Sequence, residues 1–332
     1  MSDAHVPLLA VNNLRTFIPT KRGMVRAVDG VCFHLHLGET LAIVGESGCG
    51  KSVLCRTIMG LPPEKAQTGK NASIQFNGQE LIGLGENQYR RLRATQMAMV
   101  FQDSLSSLHP TMTVGRQVSE SLCYHFKMRG TDAKRRTLAL IEAVGLSRPA
   151  RCAALFPHQL SGGMRQRVAI AIALACDPKL LIADEPTTAL DTTVQAGILA
   201  LLNHLQKERK MALMLITHDL GVASNVADRV AVMYAGKIVE TATARDLFER
   251  PCHPYTKALI DAVPQMDPSG RAVRPPIQGQ PCDLVDPPAG CRFSARCARA
   301  EDRCRRQEPA LGLNPAKPHA CACWHPLGDM SP

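Results

Sequence analysis

Aromatic side chains are scarce in this sequence: one Trp, four Tyr and eight Phe among 332 residues. So thin a supply argues against a nucleic-acid surface built on stacked bases, which needs a row of rings. Long apolar runs are missing too. The best, residues 168–176, falls well short of the roughly 20 residues that span a bilayer. The opening residues, MSDAHVPLL, have neither the basic start nor the apolar stretch of a secretory leader, so the expectation is a cytosolic chain. In that reducing compartment the thirteen cysteines are read as thiols rather than disulfides. Acidic residues are the minority charge, 29 against 39 basic. The resulting net charge of +10 fits an anionic partner or surface and fits plain solubility equally well. An apolar content of 45% is ordinary for a globular protein, and the length suits one large domain with a smaller one.

Cysteine and proline are placed unevenly. Six cysteines fall in residues 282–332, and 14 of the 23 prolines fall after residue 250. Residues 264–288 read as a Pro/Gly-containing connector, and the last 45 residues are rich in Cys and Arg. There is no internal repeat. Upstream, residues 8–37 read as short strands, with Val31, Phe33, Leu35 and Leu37 alternating with Cys32, His34 and His36. Thr40–Val44 reads as a buried strand, followed by a helix from about Lys51 to Met59 that stops at Gly60. Ile74 and Phe76 alternate ahead of an Asn77-Gly78 turn. Residues 90–157 turn helical in character, with an amphipathic helix over 132–144 closed by Gly145. Strand character returns at Leu180–Asp184, Ala212–Thr217 and 230–234, the last turning through Ala235, Gly236 and Lys237. Strands alternating with helices predict a parallel α/β core, preceded by a small antiparallel sheet and interrupted by a helical insert.

The chemistry lies in three short stretches. The first is GESGCGKS, Gly45, Glu46, Ser47, Gly48, Cys49, Gly50, Lys51 and Ser52, set between a strand and a helix. Its glycines let backbone N–H groups wrap phosphates, Lys51 reaches the β and γ phosphates, and Ser52 supplies a hydroxyl to Mg²⁺. Cys49 stands at a variable position of this motif. The second is LLIADEP, residues 180–186. It ends an apolar strand in Asp184, a Mg²⁺ partner, and Glu185, placed to orient or deprotonate the attacking water. The third is LSGGMRQRV, residues 160–168, where Ser161, Gly162 and Gly163 open an apolar helix as a second anion-binding start.

The ordered trio resembles the ATP-binding cassette (ABC) ATPase family. That resemblance implies a phosphate-loop, RecA-like core, an antiparallel β subdomain and a helical subdomain at about residues 90–160, within a nucleotide-binding domain spanning 1–250. It implies that His218, at the end of LMLITHD, is the switch histidine of the γ-phosphate. It implies that Gln102, in VFQD, links Mg²⁺ and water to the transport partner, with residues 103–110 and the helical insert as the docking surface. Phe17 takes the place of the ring that packs on adenine. In this family the LSGG element caps ATP held by a facing subunit, and Asp191, in TTALD, crosses that interface. One copy of each motif therefore implies a second ATPase subunit, identical or related. Met164 stands where many relatives have Gln, a difference known in the peptide-importer branch. With no membrane span, transport implies two separate permease subunits and, indirectly, a substrate-binding protein. The expected location is the cytoplasmic face of the membrane.

The tail, residues 251–332, offers Cys291, Cys297, Cys304 and then Cys323, a spacing unlike paired CxxC zinc motifs. Four thiolates suit an iron–sulfur cluster; zinc and plain free thiols are the alternatives. Arg292, Arg296, Arg299, Arg303, Arg305 and Arg306 are read as offsetting the cluster's negative charge. The HPYTKAL stretch at 253–259 and the later cysteines resemble the C-terminal extension of dipeptide/oligopeptide importer ATPases. Some of those carry a [4Fe–4S] cluster, and Cys323 fits that ending better than Cys321. The expectation is an importer ATPase for di- or oligopeptides. Nickel or another small solute is the alternative within that class, and a non-transport ABC ATPase is the alternative outside it. DNA-acting relatives usually carry long heptad arms or zinc inserts between the motifs, and the insert here has no sustained heptads. No nucleic-acid partner is expected.

Overall fold

The structure is a computed structural model. It describes residues 6–102, 107–188, 190–263, 265–266, 272–273, 277–312 and 319–328. Packing divides the chain into two compact units: Met1–Leu35 with Leu41–Ile82 and Thr217–Pro332, and His36–Thr40 with Gly83–Ile216.

In the first unit an antiparallel sheet runs in the order Gly23–Leu35, Leu9–Thr20, Ser73–Phe76, Gln79–Glu80, with Gln67–Thr68 also pairing on Leu9–Thr20. Its alternation is as expected: Val31, Phe33 and Leu35 are buried, with Cys32 and His34 half-buried between them. Leu37, expected on the same inward face, is instead 57% exposed. The strand has ended at Leu35, and Gly38 takes a left-handed turn (φ 78°). A second run of strands has the order Ala320–Cys321, Lys237–Thr243, Arg229–Tyr234, Thr40–Val44, parallel only across its last pair. Thr40–Val44 is buried throughout, as a strand covered on both faces must be. Tyr234, Tyr255 and Phe293 form the aromatic centre of this unit, with ring centroids 4.6–5.3 Å apart. Cys282, Leu284, Cys291 and Cys297 pack on the same core, so the tail is part of the unit's interior.

The second unit holds the parallel strands Met97–Val100, Leu180–Asp184 and Ala212–Thr217, in that order. Met97–Val100 corrects the reading of residues 90–157 as helical. This apolar stretch is only four residues, too short to make a helix, and it is paired along its length with 180–183. The amphipathic helix spans Gly130–Ala143 and buries Ala133, Thr137, Leu140 and Ile141, the i, i+4, i+7, i+8 pattern of one helical face. The helices Val114–His125, Pro149–Ala153 and Gly162–Ala173 pack with it in the same unit. No helix among the described residues is long and apolar enough to cross a membrane.

Candidate functional site

The strand Thr40–Val44 feeds residues 45–50, and the helix Lys51–Ile58 leaves them. Gly50 is the helix N-cap, with φ 110° and no side-chain cap. A Cβ there would lie 2.0 Å from the Ala27 carbonyl oxygen, so backbone angle and space both require glycine. With no side chain capping the first turn, the leading N–H groups and the positive end of the helix dipole serve an anion in the loop. Lys51 is buried, and its Nζ donates to the carbonyl oxygens of Gly45 (2.7 Å) and Glu46 (2.9 Å). Ser47 is exposed, Gly48 makes a left-handed turn (φ 79°), and Ser52 is half-buried. A buried ammonium, a free helix start and a hydroxyl one residue on form a donor set that fits a polyphosphate with its cation.

The loop is braced from behind by residues the sequence did not reveal. The Gly236 N–H donates to the Cys49 carbonyl (2.8 Å), and the Glu46 N–H donates to Tyr255 Oη (3.0 Å). Arg296 forks onto the Glu46 carboxylate at 2.6 and 3.0 Å and donates also to the Gln278 carbonyl (2.9 Å). The Arg296 side chain is 3% exposed, and the hydrogen bond to Glu46 raises its pKa further above the usual arginine range. Arg292 is likewise buried, donating to Asp29 and to the Ala235 carbonyl. These two guanidiniums therefore serve the core and the glycine loop. This corrects their reading as counter-charges for the thiols: a buried guanidinium goes to the nearest carboxylate, and here those are Glu46 and Asp29. Arg305 and Arg306 pair with Asp302. Burial pushes the Cys49 thiol up, against a reactive role in the loop.

In the second unit Asp184 ends its strand 2% exposed, in register with Ile216. Glu185 follows in the left-handed region (φ 45°), anchored by its N–H to the Ile216 carbonyl (3.0 Å). Glu185 Oε2 accepts from Gln102 Nε2 (3.2 Å) and from Thr188 Oγ1 (3.0 Å). The two residues singled out 83 positions apart therefore meet. Ser161 caps the helix Gly162–Ala173, its Oγ accepting from the Met164 N–H (3.3 Å). Asp191 caps Thr192–Arg209 through the Val194 N–H (2.9 Å). Residues 103–106 of the expected docking segment lie outside the described residues.

In the first unit His218 is exposed directly after its strand, and Asp219 caps the next helix through the Val222 N–H (3.2 Å). Phe17 is half-buried, opposite Arg26 and Gln67 in the antiparallel sheet.

The tail makes a separate pocket. Cys291, Cys297, Cys304 and Cys323 line it with His253, Phe293, Arg299 and Trp324. The Cys291 N–H donates to the Cys304 carbonyl (2.7 Å), and a Cβ on Gly290 would lie 2.2 Å from that same oxygen, so the two turns meet only because residue 290 has no side chain. Cys321 does not line this pocket; it lies in the edge strand opposite Glu240. Burial pushes the Cys291 thiol up to about 11 and raises Cys323 as well, so neither is a thiolate without a cationic partner. His253, missed in the sequence, is 1% exposed. Its Nδ1 accepts from the Tyr255 N–H (3.0 Å), which puts the ring proton on Nε2. Nε2 has no partner among the described residues, and burial lowers the ring's pKa to about 4. A buried N–H left unmade costs about 1–3 kcal/mol, so this donor is poised for whatever occupies the pocket.

Comparison with known proteins gives a consistent set of matches. The family model described as ABC transporter matches residues 28–188, and that of the oligopeptide/dipeptide transporter C-terminal region matches 239–304. The dipeptide transport ATP-binding protein DppD of Bacillus subtilis is 47% identical, over 96% of this chain and 94% of its own. The oligopeptide transport ATP-binding protein OppD of Escherichia coli is 45% identical, over 95% and 92%. Among solved structures, the dimeric ATP-binding cassette MJ0796 in a post-hydrolysis state with ADP and Pi aligns with a TM-score of 0.64 at 28% identity, over 71% of this chain and 99% of that one.

Proposed function

This chain belongs to the ABC transporter family, in its oligopeptide/dipeptide branch, and from that membership we propose that it is the ATP-hydrolysing subunit of a membrane importer of di- or oligopeptides. One observation carries the reading: a single chain joins a glycine loop and a positioned carboxylate to the C-terminal region of peptide transporters. Lys51 and the loop N–H groups bind the phosphates. Ser52, Asp184 and Gln102 are oxygen donors that suit Mg²⁺, which when bound neutralises charge on the β and γ phosphates. Glu185 takes a proton from the attacking water, Gln102 and Thr188 hold its carboxylate in place, and His218 attends the γ-phosphate. Ser161, Gly162 and Gly163 cap the nucleotide of a second, related ATPase subunit, with Asp191 at that interface and Phe17 against adenine. Residues 1–250 form the nucleotide-binding domain, and 251–332 its extension. Two permease subunits complete the transporter, this chain lying peripherally on the cytoplasmic face. Exposed Phe101, next to Gln102 in sequence, and exposed Tyr124 and Phe126 at the end of the helix Val114–His125 support a docking surface on the insert.

Cells lacking this chain should lose uptake of a labelled dipeptide, with wild type restoring it and Lys51→Ala failing to. Restored nickel uptake with unchanged dipeptide uptake would reassign the cargo.

The thiol pocket is proposed to hold a [4Fe–4S] cluster on Cys291, Cys297, Cys304 and Cys323. The four thiols line one pocket, and four thiolates suit such a cluster. The His253 Nε2–H supports the fit, as a donor to a sulfide or thiolate. Anaerobic protein should be brown, with about four irons and four sulfides per chain. A colourless preparation would remove the cluster and leave the ATPase reading intact.

A further inference from the structure

We propose that Glu240, Cys252, His319 and Cys321 form a second metal site, apart from the four-thiol pocket, that takes one zinc ion. Three separate segments bring these residues together. Glu240 lies in the strand Lys237–Thr243, Cys252 stands just ahead of the helix Pro254–Asp261, and His319 and Cys321 belong to the returning tail, whose edge strand sets Cys321 opposite Glu240. One ligand atom each from Glu240, Cys252 and His319 lies within 4.8 Å of the others, and the strand register sets Cys321 opposite Glu240, on the same side of the sheet. Tetrahedral zinc with thiolate and imidazole ligands holds its donor atoms about 3.3–3.8 Å apart, so small side-chain rotations close the set.

The chemistry fits as well as the spacing. Glu240 is fully buried, and a carboxylate there demands a cation. Its Oε1 accepts from the Cys252 N–H and from His319 Nε2, each at 2.7 Å, and its Oε2 accepts from the His253 N–H at 2.7 Å. Two backbone donors therefore orient the carboxylate in advance, as outer-shell partners do in metal sites. Two thiols, an imidazole and a carboxylate are a mixture zinc accepts. On binding, each thiol gives up its proton to solvent, and His319 coordinates through Nε2 as a neutral imidazole with its ring proton on Nδ1. The site stands where the tail's edge strand joins the sheet, next to the Leu327 N–H that donates to the Cys252 carbonyl (2.8 Å). Zinc there fastens the end of the tail to the body of the unit. The inference rests on neither the ATPase nor the cluster reading.

The test is metal counting on the full chain, produced with zinc and iron supplied and purified without oxygen. Wild type should retain about one zinc per chain through gel filtration, and Cys252→Ser/Cys321→Ser should lose it about tenfold or more with iron unchanged. Cys291→Ser/Cys297→Ser should keep its zinc. Cobalt-substituted wild type should show the intense visible absorption of a tetrahedral thiolate site, absent from the first variant. If the double serine variant is unfolded by circular dichroism, His319→Gln carries the test with the same zinc loss expected. No zinc in wild type after incubation with zinc chloride and desalting would overturn the proposal. So would zinc retained in the variant with both thiols removed or in His319→Gln, or loss of iron rather than zinc from that double variant.

Discussion

The glycine loop and the cysteine pocket are built in opposite ways. The loop is eight consecutive residues whose backbone makes the contacts, with Gly50 fixed by its φ of 110° and the nearby Ala27 oxygen. The pocket draws side chains from positions 253 to 325 and has no contiguous motif. A cradle of backbone N–H groups binds anions and leaves its side chains for catalysis. The thiol pocket gathers side chains from distant positions around the unpartnered His253 Nε2, the arrangement behind the proposed cluster. Arg296 links the two, one residue from Cys297 and forked onto Glu46 of the loop.

Several substitutions would break or sharpen this contrast. The largest effect belongs to the loop. Lys51→Ala removes the charged donor to the phosphates and should weaken ATP binding by about 3 kcal/mol, more than a hundredfold, as read by calorimetric titration. An unchanged affinity would mean that backbone N–H groups alone hold the nucleotide. Next is the link. Arg296→Ala leaves the Glu46 carboxylate half-buried and unpaired and should cost roughly 3 kcal/mol in chemical denaturation, the lower end for such a loss because Glu46 keeps solvent access. Arg296→Lys should recover only part of it, since an ammonium cannot fork across both oxygens. Full stability in the alanine variant would make loop and tail energetically independent. The smallest effect is at the signature helix. Ser161→Ala removes an N-cap and should cost about 1 kcal/mol of stability. A larger loss of turnover than of stability in the assembled transporter would give Ser161 its role across a nucleotide.

The same contrast explains what could be read from the sequence. The loop, the Asp184-Glu185 pair and the LSGG helix start were legible because each needs particular residues at fixed local spacing. The buried strands and the amphipathic face around Leu140 and Ile141 followed from periodicity. Met97–Val100 was not legible as a strand, because four apolar residues beside a helix carry no period of their own. Arg296 was visible only as one of several arginines, and its partner lies 250 residues away. His253 sat in a recognised stretch, yet only the Tyr255 N–H bond and the burial around it define its proton and its direction. Pairings of that kind are set by the fold, and no local pattern announces them.

The central proposal is that Glu185 activates the water that attacks ATP. The direct measurement is ATP retention and turnover by Glu185→Gln in the importer reassembled with its permeases and partner ATPase. The expected result is nucleotide binding within a few-fold of wild type and turnover lower by about 10²–10⁴. Undiminished turnover in that variant would contradict the account.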